Sequence, residues 1–208
     1  MKIVNADVSL ESRLDSEEIM RLIERAGRVC YKSEDRIAEG SAEKLIRNLI
    51  SRGHESVLEH ASITFRVICD RGVSHEFVRH RIASYSQEST RYCNYAGGKF
   101  GGELTFIAPC FWSEGDRNYA LWHNAMLRAE KTYVEMIENG ATPQEARSIL
   151  PNSLKTELFV TMNIREWRHF LRLRTDKKAH PQMREVALRI YEILIAKLPA
   201  LFGDIELS

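Results

Sequence analysis

Two stretches of extended-chain alternation lie in a sequence whose other apolar residues recur at helical spacing, and this combination limits the folds open to the chain. Ile63, Phe65, Val67 and Cys69 fall on one side of a strand, and residues 156–164 alternate again. Helical spacing dominates elsewhere. Ile19, Leu22, Ile23, Ala26 and Val29 follow the cap candidates Asp15 and Ser16, and Leu45, Ile46, Leu49 and Ile50 follow Ser41 and stop at Gly53. The same reading predicts strands at 3–8 and 104–108, a short helix at 73–81 running into a polar loop, and a long helix at 113–139 ending at Gly140. Thr142-Pro143-Gln144-Glu145 has capping-box spacing, and further helices are predicted at 166–174 and 181–198. Strands and helices do not alternate as a doubly wound sheet requires. The pattern predicts an α+β fold with helices packed around a small mixed or antiparallel sheet, as a single domain over residues 1–208.

Charge and cysteine content narrow the function. Lys plus Arg number 30 against 29 acidic residues, a net charge of +1, which gives no long-range attraction to nucleic acid or an anionic membrane. No apolar run approaches the roughly 18 residues of a membrane span, and residues 1–7 lack the apolar core of a signal peptide, so a cytoplasmic protein is expected. Cys30, Cys69, Cys93 and Cys110 form no C-x-x-C pair, which argues against a zinc site or a disulfide framework.

The chemistry is densest in residues 79–92, where Arg79, Arg81 and Arg91 lie close to Ser89. Guanidinium groups bind phosphate through two parallel hydrogen bonds, and hydroxyls add short donors, so the segment suits a phosphorylated small molecule; a solvated basic face would carry the same residues. Arg147 is a further cation. Arg165, Arg168 and Arg172 share a helical face and read as a surface stripe, with Arg174 at the helix end. His54, Glu55, Glu59 and His60 invite a metal reading, but the six-residue His spacing does not align both rings on one helix face, and no metal is expected.

Four of these segments, in order, resemble the flavin-dependent thymidylate synthases. Arg79-His80-Arg81, seven further residues and Ser89 match the family signature; His54-Glu55-Ser56 with Glu59-His60, Ala146-Arg147 to Leu150-Pro151, and Asn163-x-Arg165 continuing to Leu173-Arg174 extend the match over most of the chain. The resemblance implies FAD lined by Arg79, His80 and Arg81, with His54, Ser56, Asn163, Ile164, Arg165 and His169 as further contacts. It implies dUMP held by Glu76, Phe77, Val78, Arg79, Gln87, Glu88, Ser89, Thr90, Arg91 and Arg147, with Arg174 against the uracil as the catalytic cation. NADPH and methylenetetrahydrofolate are the implied co-substrates, and a homotetramer with shared active sites the implied assembly. The sequence departs from the family pattern at Ser86, Gln87 and His169.

The residues fit activation of uracil without an enzyme nucleophile. Cys93 has no neighbouring base in sequence, and Ser89 reads better as a phosphate-binding hydroxyl. A fixed cation at Arg174 would stabilise the N3-deprotonated, enolate-like uracil. Residues 97–102 are glycine-rich but lack both the dinucleotide fingerprint and the phosphate-loop order, and read as a flexible loop. Two other functions remain open at this point. One is a nucleic-acid-binding module using the arginine stripe with Tyr85, Tyr92 and Tyr95 as stacking rings. The other is a metal-dependent hydrolase on His54, His60 and His80.

Overall fold

The computed structural model describes residues 1–207. Its strands are β1 (Lys2–Val4), β2 (Asp7–Leu10), β3 (Ser62–Asp70), β4 (Ala83–Gln87), β5 (Thr105–Ile107) and β6 (Lys155–Asn163). The helices are α1 (Ser16–Val29), α2 (Ser41–Ser51), α3 (Arg71–Phe77), α4 (Arg117–Glu138), α5 (Pro143–Ala146), α6 (Ile164–Arg174), α7 (Pro181–Lys197) and α8 (Pro199–Phe202). A four-stranded sheet has the order β2-β3-β6-β4, and β1 pairs with β5 in parallel, Ile3 opposite Phe106. This is the expected α+β class. Contacts divide the chain into two compact units. One comprises 1–7, 67–79 and 86–158; the other comprises 8–66, 80–85 and 159–208, so β2, β3, β4 and β6 each contribute residues to both.

In the first unit, α4 and α5 cover a core of Leu104, Phe106, Tyr133, Ala146 and Leu154. The Met1 amine is held by Glu103 at 3.0 Å and Glu130 at 2.9 Å, and these carboxylates raise its pKa against the opposing cost of burial. α5 is a single turn. Glu145 accepts from the Thr142 backbone N–H, as the capping box predicts, and also from the Thr142 hydroxyl, but the chain tightens into a 3-10 turn at Arg147–Ile149 and meets Pro151, which biases Leu150 away from helix.

The second unit is built on α6. Asn163 caps it by accepting from the Glu166 N–H at 2.8 Å, Trp167 donates to the Ile63 carbonyl at 2.9 Å, and Phe65, Trp167 and Phe170 meet edge to face. α1 begins at the predicted cap, with Asp15 accepting from the Glu18 N–H. α2 stops before Gly53, which takes φ +72°, a conformation that costs glycine little. A 3-10 turn at Glu55–His60, unforeseen in the periodicity, packs against α6.

Candidate active site

The first unit holds the residues implied for the nucleotide. Gln87, at the end of β4, donates from its amide nitrogen to the Ser74 hydroxyl at 3.0 Å and the Thr156 hydroxyl at 3.1 Å. Those bonds fix the strand from which Glu88, Ser89 and Thr90 continue. Glu88 is not a loose acid: its carboxylate accepts from Tyr95 Oη at 2.8 Å and Lys155 Nζ at 2.8 Å, and its N–H donates to the Glu157 carbonyl. Burial first, and Glu88 second, push the Tyr95 hydroxyl well above the usual phenol range, so it remains a donor. The Ser89 hydroxyl accepts from the Arg91 N–H, and Arg91 Nε donates to the Gln144 side-chain Oε1 at 3.2 Å. Arg79 and Arg147 are exposed, and among the described residues neither side chain has a hydrogen bond or ion pair. Phe77 is fully buried, so it can meet a ligand only through its backbone, and Val78 is exposed at the end of α3. Glu76 is half-buried on the same helix.

The second unit holds the residues implied for the flavin, and its centre is His80. The ring is 4% exposed, although it lies between the exposed Arg79 and Arg81. Arg174 Nε lies 3.1 Å from His80 Nε2, and Glu166 Oε1 lies 3.2 Å from His80 Nδ1. A guanidinium nitrogen only donates, so Nε2 must accept and the proton must sit on Nδ1, where it is donated to Glu166. The imidazole is therefore neutral. Burial, then the Arg174 and His169 charges, push its pKa down to about 4, in agreement with the hydrogen-bond pattern. Glu166 is shifted up by its own burial. Both ring nitrogens of His80 are engaged, Nδ1 with Glu166 and Nε2 with Arg174, so the ring links the two.

The other implied flavin residues surround α6. Asn163 is its cap, Ile164 is buried and can offer only backbone, and Arg165 and His169 are exposed on its surface. His54 and Ser56 sit on the 3-10 turn that packs against this helix, both exposed. Arg81 is exposed, and among the described residues its side chain has no ion pair or hydrogen bond.

Arg165, Arg168 and Arg172 do not make the surface stripe expected from their spacing. Arg168 is fully buried, bonded to the Leu201 carbonyl, to both carboxylate oxygens of Asp204 at 2.7 Å and to Glu55 at 3.3 Å. Arg165 pairs with Glu59 at 2.6 Å, and Arg172 with Glu55 at 3.3 Å. A stripe neutralised by carboxylates offers no path for a phosphate backbone, and this removes the ground for the nucleic-acid module. The histidines proposed for a hydrolase are not gathered either. Among the described residues, the group whose ligand atoms lie within 4.8 Å is His80, Glu166 and His169, and a metal there would sit beside the Arg174 cation, which already occupies Nε2. Cys69 is buried, and its thiol is pushed above its usual range by burial. The glycine-rich 97–102 segment contains a 3-10 turn at Gly98–Phe100, followed by Gly101 and Gly102 at positive φ.

The chain matches the family described as Thy1, "Thymidylate synthase complementing protein", over residues 14–200. It is 40% identical over 172 residues to a flavin-dependent thymidylate synthase from Pyrococcus furiosus, covering 82% of this chain and 70% of that protein. It is 34% identical to one from Geobacter sulfurreducens, covering 86% and 78%. The fold superposes with TM-score 0.80 on a UMP/dUMP methylase, PolB from Streptomyces cacaoi, bound with 5-Br dUMP; identity is 27%, covering 98% of this chain and 96% of that one.

Proposed function

The chain belongs to the flavin-dependent thymidylate synthase family, and from that premise we propose that it is an FAD-dependent methyltransferase converting dUMP to dTMP, with methylenetetrahydrofolate as carbon donor and NADPH as reductant. The whole chain acts as one catalytic domain; in support, a single family match runs from 14 to 200 through both compact units. The observation that carries the mechanism is the guanidinium of Arg174, directed by a neutral buried imidazole.

The donor set fits a flavin dinucleotide. Among the described residues Arg81 has no carboxylate to neutralise it, Ser56 supplies a hydroxyl and His54 a planar ring, and His54, Ser56, Asn163, Arg165 and His169 are gathered on or against α6. Bound there and reduced by NADPH, the flavin would supply the hydride that turns the transferred methylene into a methyl group. The residues do the rest. Arg79, Ser89, Arg91 and Arg147 bind the nucleotide phosphate, and Gln87 fixes the end of the strand from which Ser89 and Arg91 follow. Arg174 stabilises negative charge on the uracil as N3 loses its proton, which raises electron density at C5. A permanent cation held by His80 and Glu166 needs no reorganisation during that step. No enzyme nucleophile enters this reading: Cys93 has no neighbouring base in sequence, Cys69 is buried with its pKa raised, and the Ser89 hydroxyl accepts from the Arg91 N–H.

A homotetramer with active sites shared between subunits is part of this reading. Of the 22 residues of α4, Met126 and Tyr133 are the buried ones, while Leu121 and Leu127 are 60% and 41% exposed, leaving apolar surface suited to a subunit contact. No helix among the described residues is long and apolar enough to cross a membrane, and the proposed site of action is the cytoplasm, where the co-substrates occur. The test is direct. FAD-loaded protein is reduced anaerobically with NADPH and given dUMP and methylenetetrahydrofolate. Formation of dTMP is expected, and flavin reduction without dTMP would overturn the assignment.

A further inference from the structure

A second basic site lies in the α6 unit, at the ends of α1 and α2. A cavity of about 460 Å³ is lined by Arg28, Tyr31, Arg36, Asn48, Arg52 and His54 among others, and none of its lining residues is a carboxylate. Arg28 is a structural cation, buried and bound through Nε and Nη2 to Glu24 at 2.8 and 2.6 Å. Arg36 and Arg52 differ from it: both are exposed, and among the described residues neither guanidinium has a hydrogen bond or ion pair. Two helix C-termini end here, and their carbonyls would ordinarily compete for such cations. They are already capped. The Arg28 carbonyl accepts from the Tyr31 and Ser33 N–H groups, that of Asn48 from Arg52, that of Leu49 from His54, and that of Ile50 from Gly53. The two guanidinium groups thus face a cleft that supplies no anion of its own. The larger neighbouring cavity, about 710 Å³, is the opposite case, with Glu17, Glu24, Glu39 and Glu43 set against Arg21 and Arg25.

We propose that the Arg36–Arg52 cleft binds the carboxylates of the glutamyl end of the folate co-substrate. The inference rests on the thymidylate synthase reading, which supplies a co-substrate that is a planar ring at one end and a dicarboxylate at the other. His54 ties the cleft to the site: it lines the cavity and is also the residue that the family resemblance places beside the flavin ring. The Tyr31 hydroxyl and Asn48 amide add neutral donors beside the two cations, the mixture a carboxylate pair with several acceptor oxygens requires.

The test separates the tail from the ring. Equilibrium binding of tetrahydrofolate and of tetrahydropteroate, which lacks the glutamate, is measured by intrinsic fluorescence on the FAD-loaded wild type and on Arg36→Ala, Arg52→Ala and the double variant. Each single substitution is expected to weaken tetrahydrofolate about 3- to 10-fold and tetrahydropteroate by less than about 2-fold, with Arg→Lys variants in between. In turnover, KM for methylenetetrahydrofolate rises by the same factor while kcat, FAD content and KM for dUMP stay unchanged. Equal losses for both ligands, or no loss for either, would overturn the proposal. So would a rise in KM confined to NADPH, which would assign the cleft to a phosphate instead. Because the binding arm needs no turnover, wild type that fails to make dTMP yet prefers tetrahydrofolate over tetrahydropteroate defeats the functional reading while leaving the cleft intact.

Discussion

His80 shows what a buried residue in a basic signature does when its neighbours are solvent-exposed. A charged imidazole could not accept from Arg174, so the neutral form is the one that keeps the guanidinium directed. Arg174→Ala is expected to fold and retain FAD but to lose about 30- to 1000-fold in dTMP formation, the effect of removing about 2 to 4 kcal/mol of charge stabilisation from a desolvated site. Single-turnover assays on the reduced holoenzyme measure it, and near-normal turnover would remove Arg174 from the mechanism. The same hydrogen bond predicts an acid sensitivity. The folded His80 titrates at about 4, below its unfolded value near 6.5, so the unfolded chain takes up the proton first. The resulting stability, roughly 3 kcal/mol, is complete above pH 6.5 and is lost as pH falls toward 4. Glu166 acts with the opposite sign: its raised pKa contributes below the ordinary carboxylate value and fades as pH rises through the folded one, offsetting part of the slope. Urea midpoints between pH 7 and 4.5 should fall less steeply for His80→Gln than for wild type, and equal slopes would place the sensitivity elsewhere.

At the scale of elements, α6 joins the sheet to the functional residues, and its buried arginine is what its sequence conceals. Spacing put Arg165, Arg168 and Arg172 on one face, and they do share it; the face, however, packs on the 3-10 turn and the C-terminal residues that bring Glu55, Glu59 and Asp204. A local pattern cannot reveal partners 36 or 113 residues away. Arg168→Ala is expected to cost about 2 to 4 kcal/mol, since it empties the space of a fully buried side chain and leaves the buried Leu201 carbonyl unpaired while Glu55 and Asp204 keep Arg172, whereas Arg165→Ala, which breaks an exposed pair, should cost less than about 1. Guanidinium unfolding of both variants makes the comparison, and similar midpoints would mean that Arg168 is dispensable. Elements with strong periodicity, α1, α2, β3, β6 and α7, were legible because one face meets a core. β4 was not: its half-buried positions are Ala83, Tyr85 and Gln87, and Tyr85 and Gln87 are fixed by hydrogen bonds, from Tyr85 Oη to the His80 carbonyl at 2.7 Å and from Gln87 to Ser74 and Thr156. Polar strands held this way carry no hydrophobic alternation. α4 begins at Arg117, not 113, because Asp116 accepts from the Ser113 N–H and hydroxyl and holds those residues in a turn.

At the scale of the molecule, the candidate residues divide by unit, and this division bears on assembly. Arg91 belongs to the unit that holds the implied nucleotide residues, and Arg174 to the unit that holds the implied flavin residues. Each is anchored locally, Arg91 to Gln144 and Arg174 to His80. The sequence made both arginines legible as ligand-binding cations because phosphate and uracilate chemistry demand a permanent charge, but chain order says nothing of which protomer supplies each one. Large ligands favour subunit interfaces, and FAD, dUMP and folate together need more concave surface than a small chain presents. If each site takes Arg91 from one protomer and Arg174 from its partner, two inactive variants should complement. Arg91→Ala and Arg174→Ala are each purified, confirmed inactive, mixed, unfolded and refolded together. Under random reassociation about a quarter of such sites would regain both arginines, and dTMP formation should return to about that fraction of wild type. If one protomer supplies both, every site in the mixture keeps a defect and the activity stays absent, which rejects the shared-site arrangement even for a protein shown by sedimentation to be tetrameric.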